Sequence, residues 1–447
     1  MNGNEVSTKA RLVVRGYEEQ NDEIRSDSPT CSKDNIRMLL GVAGAKGWKV
    51  QSLDVKAAFL QGKTIERDVF VKPPVEFRKE NVIWKLRKVV YGLCDASRNW
   101  YLRVAEVLKN LGMKICKFDN AVFSYSVGNL QGLLLVHVDD MLFFGTELFI
   151  RKVMKPFKEM FHISKEEANA FQYVGINVEQ QAEGITLDQQ KYLGIMAADL
   201  LPSEAMKEKF RFANDEEKKM FRQGIGQLGW LTSISRPEGA FDYYVLSTKQ
   251  SRPQINDLVQ YRKAVKEIKS SDYKILMSKI DMRSLEMSVF SDASFGNLAG
   301  GGSQLGFLIF LNDKQGNAVP ISWASKKSKR VARSTLTAET LAAVEAVDTA
   351  MMCRRVLEDL MDRALPPVKL YVDNKSLYDT SKTTNVLADK RLMIDMSALR
   401  QMVSEKEIEV IWIPAAKQLA DVLTKSGADK SKLRNVLMKG SLTSLKL

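Results

Sequence analysis

The sequence predicts a multidomain protein of α+β and α/β class, on three observations. First, residues 133–145 (LLLVHVDDMLFFG) are apolar except around His137, Asp139 and Asp140. Apolar runs on both sides of a short polar break read as a core β-hairpin with the acids at its turn. Second, the pattern changes after Leu285: strand-like segments carrying acids alternate with a helical one, as in a mixed sheet. Third, 447 residues at 45% hydrophobic and 27% charged fit an ordinary globular composition. That length allows about two to four domains.

The elements follow in chain order. Residues 9–16 (KARLVVRG) form a basic, strand-like stretch. Residues 34–46 carry apolar spacing that suits a helix. Residues 48–62 open with a strand-like segment ending at Asp54, and Phe59 follows five residues later. Residues 67–77 alternate like a strand and stop at Pro73 and Pro74. Residues 84–101 interleave aromatics with Lys and Arg, and a long helix is expected over 97–111. Residues 155–177 read as a strand and tight turn, and residues 184–193 as a strand entering a helix. Residues 215–269 are helix-rich. Gly224, Gly226 and Gly229 read as close helix packing, with a phosphate loop as the weaker alternative. The charged segment 266–279 is the expected linker.

Two carboxylates flanked by core strands are costly unless a cation sits between them. Hard cations such as Mg²⁺ take carboxylate oxygens. On the hairpin alone, a metal-holding turn and an exposed acidic turn stand equally open. Asp54 tips the balance. Asp54, Asp139 and Asp140, with Phe59 in that relation, resemble the palm of a reverse transcriptase. The resemblance implies that the three acids hold two Mg²⁺ ions, with Mn²⁺ able to substitute, and that Phe59 blocks a ribose 2′-OH. Residues 9–16 resemble the segment where copia-type retrotransposon polymerases meet the incoming nucleotide. Lys9 and Arg11 are then triphosphate contacts; the alternative is a solvated edge strand. Tyr91, Gly92 and Leu93 through Ala96, Arg98 and Trp100 resemble the copia-type motif beneath the templating base. Asp95 and Arg98 become nucleotide-binding candidates. Three positions depart from the commonest pattern: Asp95 stands where Gln is usual, Ser97 where Pro is, and His137 where Tyr is. An acid at 95 repels a triphosphate unless it turns away or pairs with Arg98. The helix at 34–46 is expected beneath the palm, residues 155–177, including 171–175, are expected to close it, and 184–269 to form thumb and connection. Only eight residues precede Lys9, so partial fingers are expected.

A second carboxylate set follows. Asp292 is read at the end of a strand over 288–294. Glu339 opens a helix after Arg333. Asp373 ends a strand over 368–374. Asp421 starts a helix after the strand 409–414. Acids at strand ends and helix starts can converge on one sheet edge and hold two Mg²⁺ astride a phosphate. The arrangement resembles RNase H, and residues 321–327 and 419–425 resemble its copia-type branch. Lys326, Lys327, Lys329 and Arg330, in a run with five Lys/Arg in eight residues, are candidate contacts to a hybrid's phosphates; a solvated connection is the alternative. The histidine that many cellular RNases H carry before the last acid has no counterpart, since the chain's two histidines are His137 and His162.

The bulk numbers agree. A net charge of +13 favours a polyanionic partner. No apolar run reaches the roughly 18 residues of a membrane span, and residues 1–25 are too polar for a signal peptide. Cys31, Cys94, Cys116 and Cys353 are scattered, which fits reduced thiols inside a cell. The expectation is a right-hand polymerase (partial fingers, palm and thumb) followed by an RNase H-like mixed-sheet domain. Residues 1–182 would be fingers and palm, 183–283 thumb and connection, and 284–447 the RNase H-like part. The implied partners are an RNA template, a DNA primer, an RNA–DNA hybrid and dNTPs, with no membrane. The implied location is cytoplasmic, with an element particle or the nucleus open. The alternative is a catalytically impaired, truncated element remnant that at most binds nucleic acid.

Overall fold

The computed structural model describes residues 11–19, 23–298, 300–387 and 389–447. It divides into two compact units. One comprises residues through Cys31 with Gln51–Ala168; the other comprises Ser32–Val50 with Asn169–Leu447.

The first unit is built on a six-stranded sheet. Its strand order is Lys114–Ile115, Val122–Val127, Asn129–His137, Asp140–Gly145, Lys49–Val55 and Ile163–Ala168. The expected hairpin is present: Leu133 to His137 pair in register with Phe144 to Asp140. Apolar side chains on both faces of these strands are fully buried, which explains why the sequence there shows no polar alternation. The helix Ala96–Asn110 lays Trp100, Val104, Val107 and Leu108 against Phe123, Leu134, Val136, Met141 and Phe143. At the far end of the hairpin Gly132 pairs with Gly145. A Cβ on either would come within 2.5 Å of the Phe149 ring, so the glycine pair makes the slot that this buried ring fills.

The second unit holds two sheets. The smaller is ordered Ile275–Ser278, Gly184–Asp188, Ile176–Gln180, Ala170–Tyr173. Beside it lie the helices Asp215–Ile234, Ala240–Ser247 and Ile255–Ser270. Asn214 and Glu217 form a capping box on the first of them. The larger sheet is ordered Ala318–Lys327, Gly302–Asn312, Glu286–Leu298, Val368–Val372, Ile408–Trp412. Its first three strands are antiparallel and the last two run parallel to Glu286–Leu298. The 27-residue helix Thr335–Met361 buries an Ala-rich face, including Ala338, Ala342, Ala343, Ala346 and Ala350.

Several expectations need correction. The segment 266–279 is no linker: it ends the helix Ile255–Ser270 and forms the strand Ile275–Ser278, which pairs with Gly184–Asp188. Its lysines point outward while Ile268, Tyr273, Ile275 and Met277 are buried. Of the stretch 155–177, Ile163–Ala168 does close the first unit's sheet as its edge strand beside Lys49–Val55, whereas residues 171–175 do not. They form the Ala170–Tyr173 strand and its turn in the second unit, with Val174 and Gly175 at positive φ. The helix Lys33–Ala45 belongs to the second unit. Buried Arg37 donates to the carbonyls of Ile321 (2.8 Å) and Ser233 (3.1 Å), and its guanidinium lies 4.0 Å over the Trp323 ring. Asp292 is mid-strand, because its strand runs on to Leu298. Between Pro73 and Arg67 only Phe70–Val71 is a strand. Around Leu12 and Val13 there is a single bridge, from Val13 to Tyr91, followed by the short turn Gly16–Glu18. Gly224, Gly226 and Gly229 lie inside the helix Asp215–Ile234, where a Cβ on Gly224 or Gly229 would strike Tyr261 or Tyr243. Helix packing, not a phosphate loop, explains Gly224 and Gly229; a Cβ on Gly226 would meet nothing within 4 Å.

Candidate active sites

In the first unit the acids gather at one end of the sheet. Asp54 lies near the end of its strand, and the Val55 amide donates to the Asp139 carbonyl at 3.2 Å. The hairpin turn is Val138–Asp139, with Val138 at φ 59°. Trp100 Nε1 donates to the Val138 carbonyl at 2.7 Å and fixes that turn. Asp140 is half-buried. Burial first, then the charges of Asp139 and Asp54, push its carboxyl up to about 6. Burial lowers His137 despite the nearby Asp139 charge. The Ser164 hydroxyl donates to the Asp54 carboxylate and to the Asp54 carbonyl. Among the described residues these three acids do not form a set whose oxygens all lie within 4.8 Å of one another. They are neighbours, more loosely gathered than the second set.

Phe59 sits in the turn Ala58–Gln61, after Ala57 in the left-handed region. Its ring is 4.8 Å from the Tyr91 ring, and the Arg11 guanidinium is 4.5 Å from the other aromatic centre, over Tyr91. Arg11, Tyr91 and Phe59 thus form one cation–π and aromatic stack. Lys9 lies outside the described residues. Asp95 does not pair with Arg98. It accepts from Arg67 at 2.6 Å, and Arg67 also binds Glu19 at 2.7 Å. Arg98 instead bonds Asp27 at 2.7 Å. Sequence spacing gave no sign of the Arg67–Asp95 pair, because it joins residues from separate segments.

In the second unit the convergence is tighter. Asp292, Asp373 and Asp421 each offer an oxygen within 4.8 Å of the others. Asp292 is buried in its strand, Asp373 follows the end of Val368–Val372, and Asp421 lies in the turn Ala420–Leu423. Glu339 projects from the first turns of its helix and is 5% exposed. Its Oε2 is buried with no hydrogen-bond partner. Burial first, then the charges of Asp292 and Asp373, raise the Glu339 carboxyl. Burial also raises Asp292 and Asp373, against the pull of Lys425. A set of hard oxygen donors, one of them orphaned and three of them raised by burial, fits a divalent cation.

The turn that carries Asp421 is pinned to the sheet. Gln418 Nε2 donates to the Ser291 carbonyl at 2.9 Å, Ser325 Oγ to the Leu423 carbonyl at 2.6 Å, and Asn297 Nδ2 to the Thr424 carbonyl at 3.0 Å. Gly306 permits the approach: a Cβ there would lie 2.7 Å from Thr424 and 2.8 Å from Leu423. Thr424 donates to the Asp292 carboxylate. Lys425 Nζ lies 2.6 Å from Asp421 Oδ1 and 3.3 Å from Asp292 Oδ1. The sequence reading assigned neither residue, although their spacing of three and four from Asp421 was the available signal. In the basic run, Lys326 is held by Glu345 and Arg330 by Asp395 (2.9 and 2.5 Å). Lys327 and Lys329 are exposed.

Residues 2–206 match the family model described as reverse transcriptase (RNA-dependent DNA polymerase). Over these residues the chain is similar to that family. The resemblance extends past them. The chain is 28% identical over 437 residues to the retrovirus-related Pol polyprotein from transposon RE1 of Arabidopsis thaliana, covering 93% of this chain and 29% of that protein. It is 28% identical over 460 residues to the corresponding polyprotein from transposon TNT 1-94 of Nicotiana tabacum, covering 94% of this chain and 33% of that one. The chain therefore spans a third or less of these relatives' length. Among solved structures, the foamy viral protease–reverse transcriptase in complex with an RNA/DNA hybrid shares the fold: TM-score 0.51, 14% identity, 91% of this chain and 48% of the other. The chain thus shares the fold of that reverse transcriptase structure.

Proposed function

We propose that this chain catalyses RNA-directed DNA synthesis and hydrolyses the RNA strand of the resulting hybrid. The observation that carries the proposal is the convergence of Asp292, Asp373 and Asp421 beside buried Glu339, whose Oε2 has no partner. Structural acids do not ordinarily collect in this way, because burial and mutual repulsion both oppose it. In this reading residues 1–182 act as fingers and palm, 183–283 as thumb and connection, and 284–447 as the RNase H portion.

Asp54, Asp139 and Asp140 would hold divalent cations in the polymerase site, and Asp292, Glu339, Asp373 and Asp421 in the nuclease site. When bound, such cations neutralise charge at the reacting phosphoryl group. The protein's own part is positioning. Trp100 and the strained Val138 fix the turn that presents Asp139. Phe59, braced by Tyr91, takes the place a ribose 2′-OH would need. Arg11, over the Tyr91 ring, and Lys9 meet the triphosphate. Arg67 neutralises Asp95, so this acid does not repel the nucleotide. Arg98 is left to act through Asp27. Lys327 and Lys329, exposed beside the nuclease sheet, contact a hybrid's phosphates, and the net charge of +13 supports nucleic-acid binding generally. The partners are then an RNA template, a DNA primer, their hybrid and dNTPs, with Mg²⁺ as cofactor and Mn²⁺ as substitute.

None of the four cysteines is in a disulfide, in keeping with an intracellular setting. Among the described residues no helix is long and apolar enough to cross a membrane. The looser gathering of Asp54, Asp139 and Asp140 favours hybrid cleavage as the more robust of the two activities. Primer extension on an RNA template tests the polymerase reading. The full chain should extend in Mg²⁺, and Asp54→Asn should abolish extension while leaving hybrid cleavage intact. Loss of both activities in Asp54→Asn would refute two separate sites.

A further inference from the structure

We propose that Lys425 is the resident counter-cation of the nuclease carboxylates: its ammonium bridges Asp292 and Asp421, and a divalent cation taking those oxygens must displace it. The inference rests on the reading that these acids bind divalent cations.

The backbone delivers Lys425 to this position. The amides of Thr424 and Lys425 both donate to the Asp421 carbonyl, at 3.1 and 3.0 Å, which folds the side chain back over its own turn. Asp292 is then engaged on both oxygens, Oδ2 by the Thr424 hydroxyl and Oδ1 by Lys425. Asp421 Oδ1 is engaged by the same ammonium at 2.6 Å. Among the described residues, Lys425 is the one basic side chain whose charge acts on Asp292, Glu339 and Asp373 alike. One positive charge among four acids leaves the site negative, so it still attracts a dication. It also removes the largest repulsion between two carboxylates that the fold presses together. An ammonium and a dication cannot share the same two oxygens without strong repulsion. Lys425 is long and unbranched, about half-exposed, and free to swing outward when displaced. It is a positioning residue: it keeps the acids gathered while metal is absent and raises the metal concentration needed to fill the site.

The test uses the full chain and Mg²⁺ alone, without nucleic acid. Calorimetric titration compares wild type with Lys425→Met, which keeps length and apolar bulk. Lys425→Met should bind Mg²⁺ roughly five- to tenfold more tightly, as removal of a competing ligand predicts. Its melting temperature in EDTA should fall, and its gain on adding Mg²⁺ should exceed the wild-type gain. Unchanged or weaker Mg²⁺ affinity in a folded Lys425→Met would overturn the proposal. A second measurement needs no variant. Acetylation of wild-type lysines, read by peptide mass spectrometry, should find Lys425 protected in EDTA and more reactive in saturating Mg²⁺. Equal reactivity in both would also overturn it. If wild type binds no Mg²⁺ at all, the failure lies with the metal-site reading itself, so the two failures are distinguishable.

Discussion

Replacing Glu339 by Gln should make the metal-free protein more stable, although it should also destroy hybrid cleavage. The reasoning follows from burial. Glu339 is 5% exposed and has an unpartnered Oε2. Its carboxyl is raised from an ordinary 4.5 to about 9, by burial first and then by Asp292 and Asp373. A raised carboxyl means the folded state holds the proton more tightly than the unfolded chain. Stability contributed at low pH is therefore lost progressively as pH rises from 4.5 to about 9. At pH 7 the interval is 7 − 4.5 = 2.5, so the penalty reaches about 3 kcal/mol at about 1.4 kcal/mol per unit. At pH 5 it is under about 1 kcal/mol by the same arithmetic. Gln keeps the shape and removes the ionisation, but its amide brings an unsatisfied donor costing about 1–2 kcal/mol. Near pH 7.5 the interval is 7.5 − 4.5 = 3, a penalty of about 4 kcal/mol, so the net expectation in EDTA is a gain of about 2–3 kcal/mol. Near pH 5 that gain should vanish or reverse. Saturating Mg²⁺ should also reverse it, because only the wild type gains fully from ligation. Thermal melts of both proteins at pH 5 and 7.5, in EDTA and in Mg²⁺, read all four conditions. A Glu339→Gln protein less stable than wild type in EDTA at pH 7.5, or a difference that does not change with pH, would refute the argument.

Two other perturbations bear on the polymerase half. Phe59→Ala removes the ring stacked on Tyr91 and should admit ribonucleotides about tenfold or more better relative to deoxynucleotides; competitive primer extension measures the ratio, and unchanged discrimination would make Phe59 an ordinary packing residue. Arg67→Met strips the partner from 13%-exposed Asp95; the uncompensated acid should raise the KM for dNTP several-fold with a smaller effect on kcat, and Asp95→Asn in the same background should restore it, whereas no rescue would place Arg67 in folding alone.

Much of this was legible in the sequence because the signals are local. The run from Leu133 to Gly145 is so apolar that only two buried strands can hold it, and the acids at its break had to lie at the turn. Asp373 was placed correctly because it directly follows a β-branched and aromatic segment, whereas Asp421, read at a helix start, lies in the short turn Ala420–Leu423. What was missed is long-range. Nothing near Asp95 announces Arg67, which arrives from 28 residues upstream in a segment with hardly any regular structure. The helix Lys33–Ala45 looked like any amphipathic helix, and its true partner is set by Arg37 reaching Ile321 and Trp323. The segment 266–279 read as a linker because its lysines dominate composition, while the few apolar residues that face inward decide its fold. Asp292 was read as a strand end because the glycines after it suggest a turn. The strand continues instead through a bulge between Ser294 and Leu298.

The central claim is that the second carboxylate set is a nuclease site. Incubating the full chain with an RNA–DNA hybrid labelled on the RNA strand, in Mg²⁺ and with EDTA as control, tests it most directly. The account predicts metal-dependent cleavage of the RNA strand, its loss in Asp292→Asn and in Glu339→Gln, and hybrid binding by both variants close to that of wild type. A folded chain that binds the hybrid yet leaves the RNA intact in Mg²⁺ and in Mn²⁺, or cleavage that survives in Glu339→Gln, would contradict it.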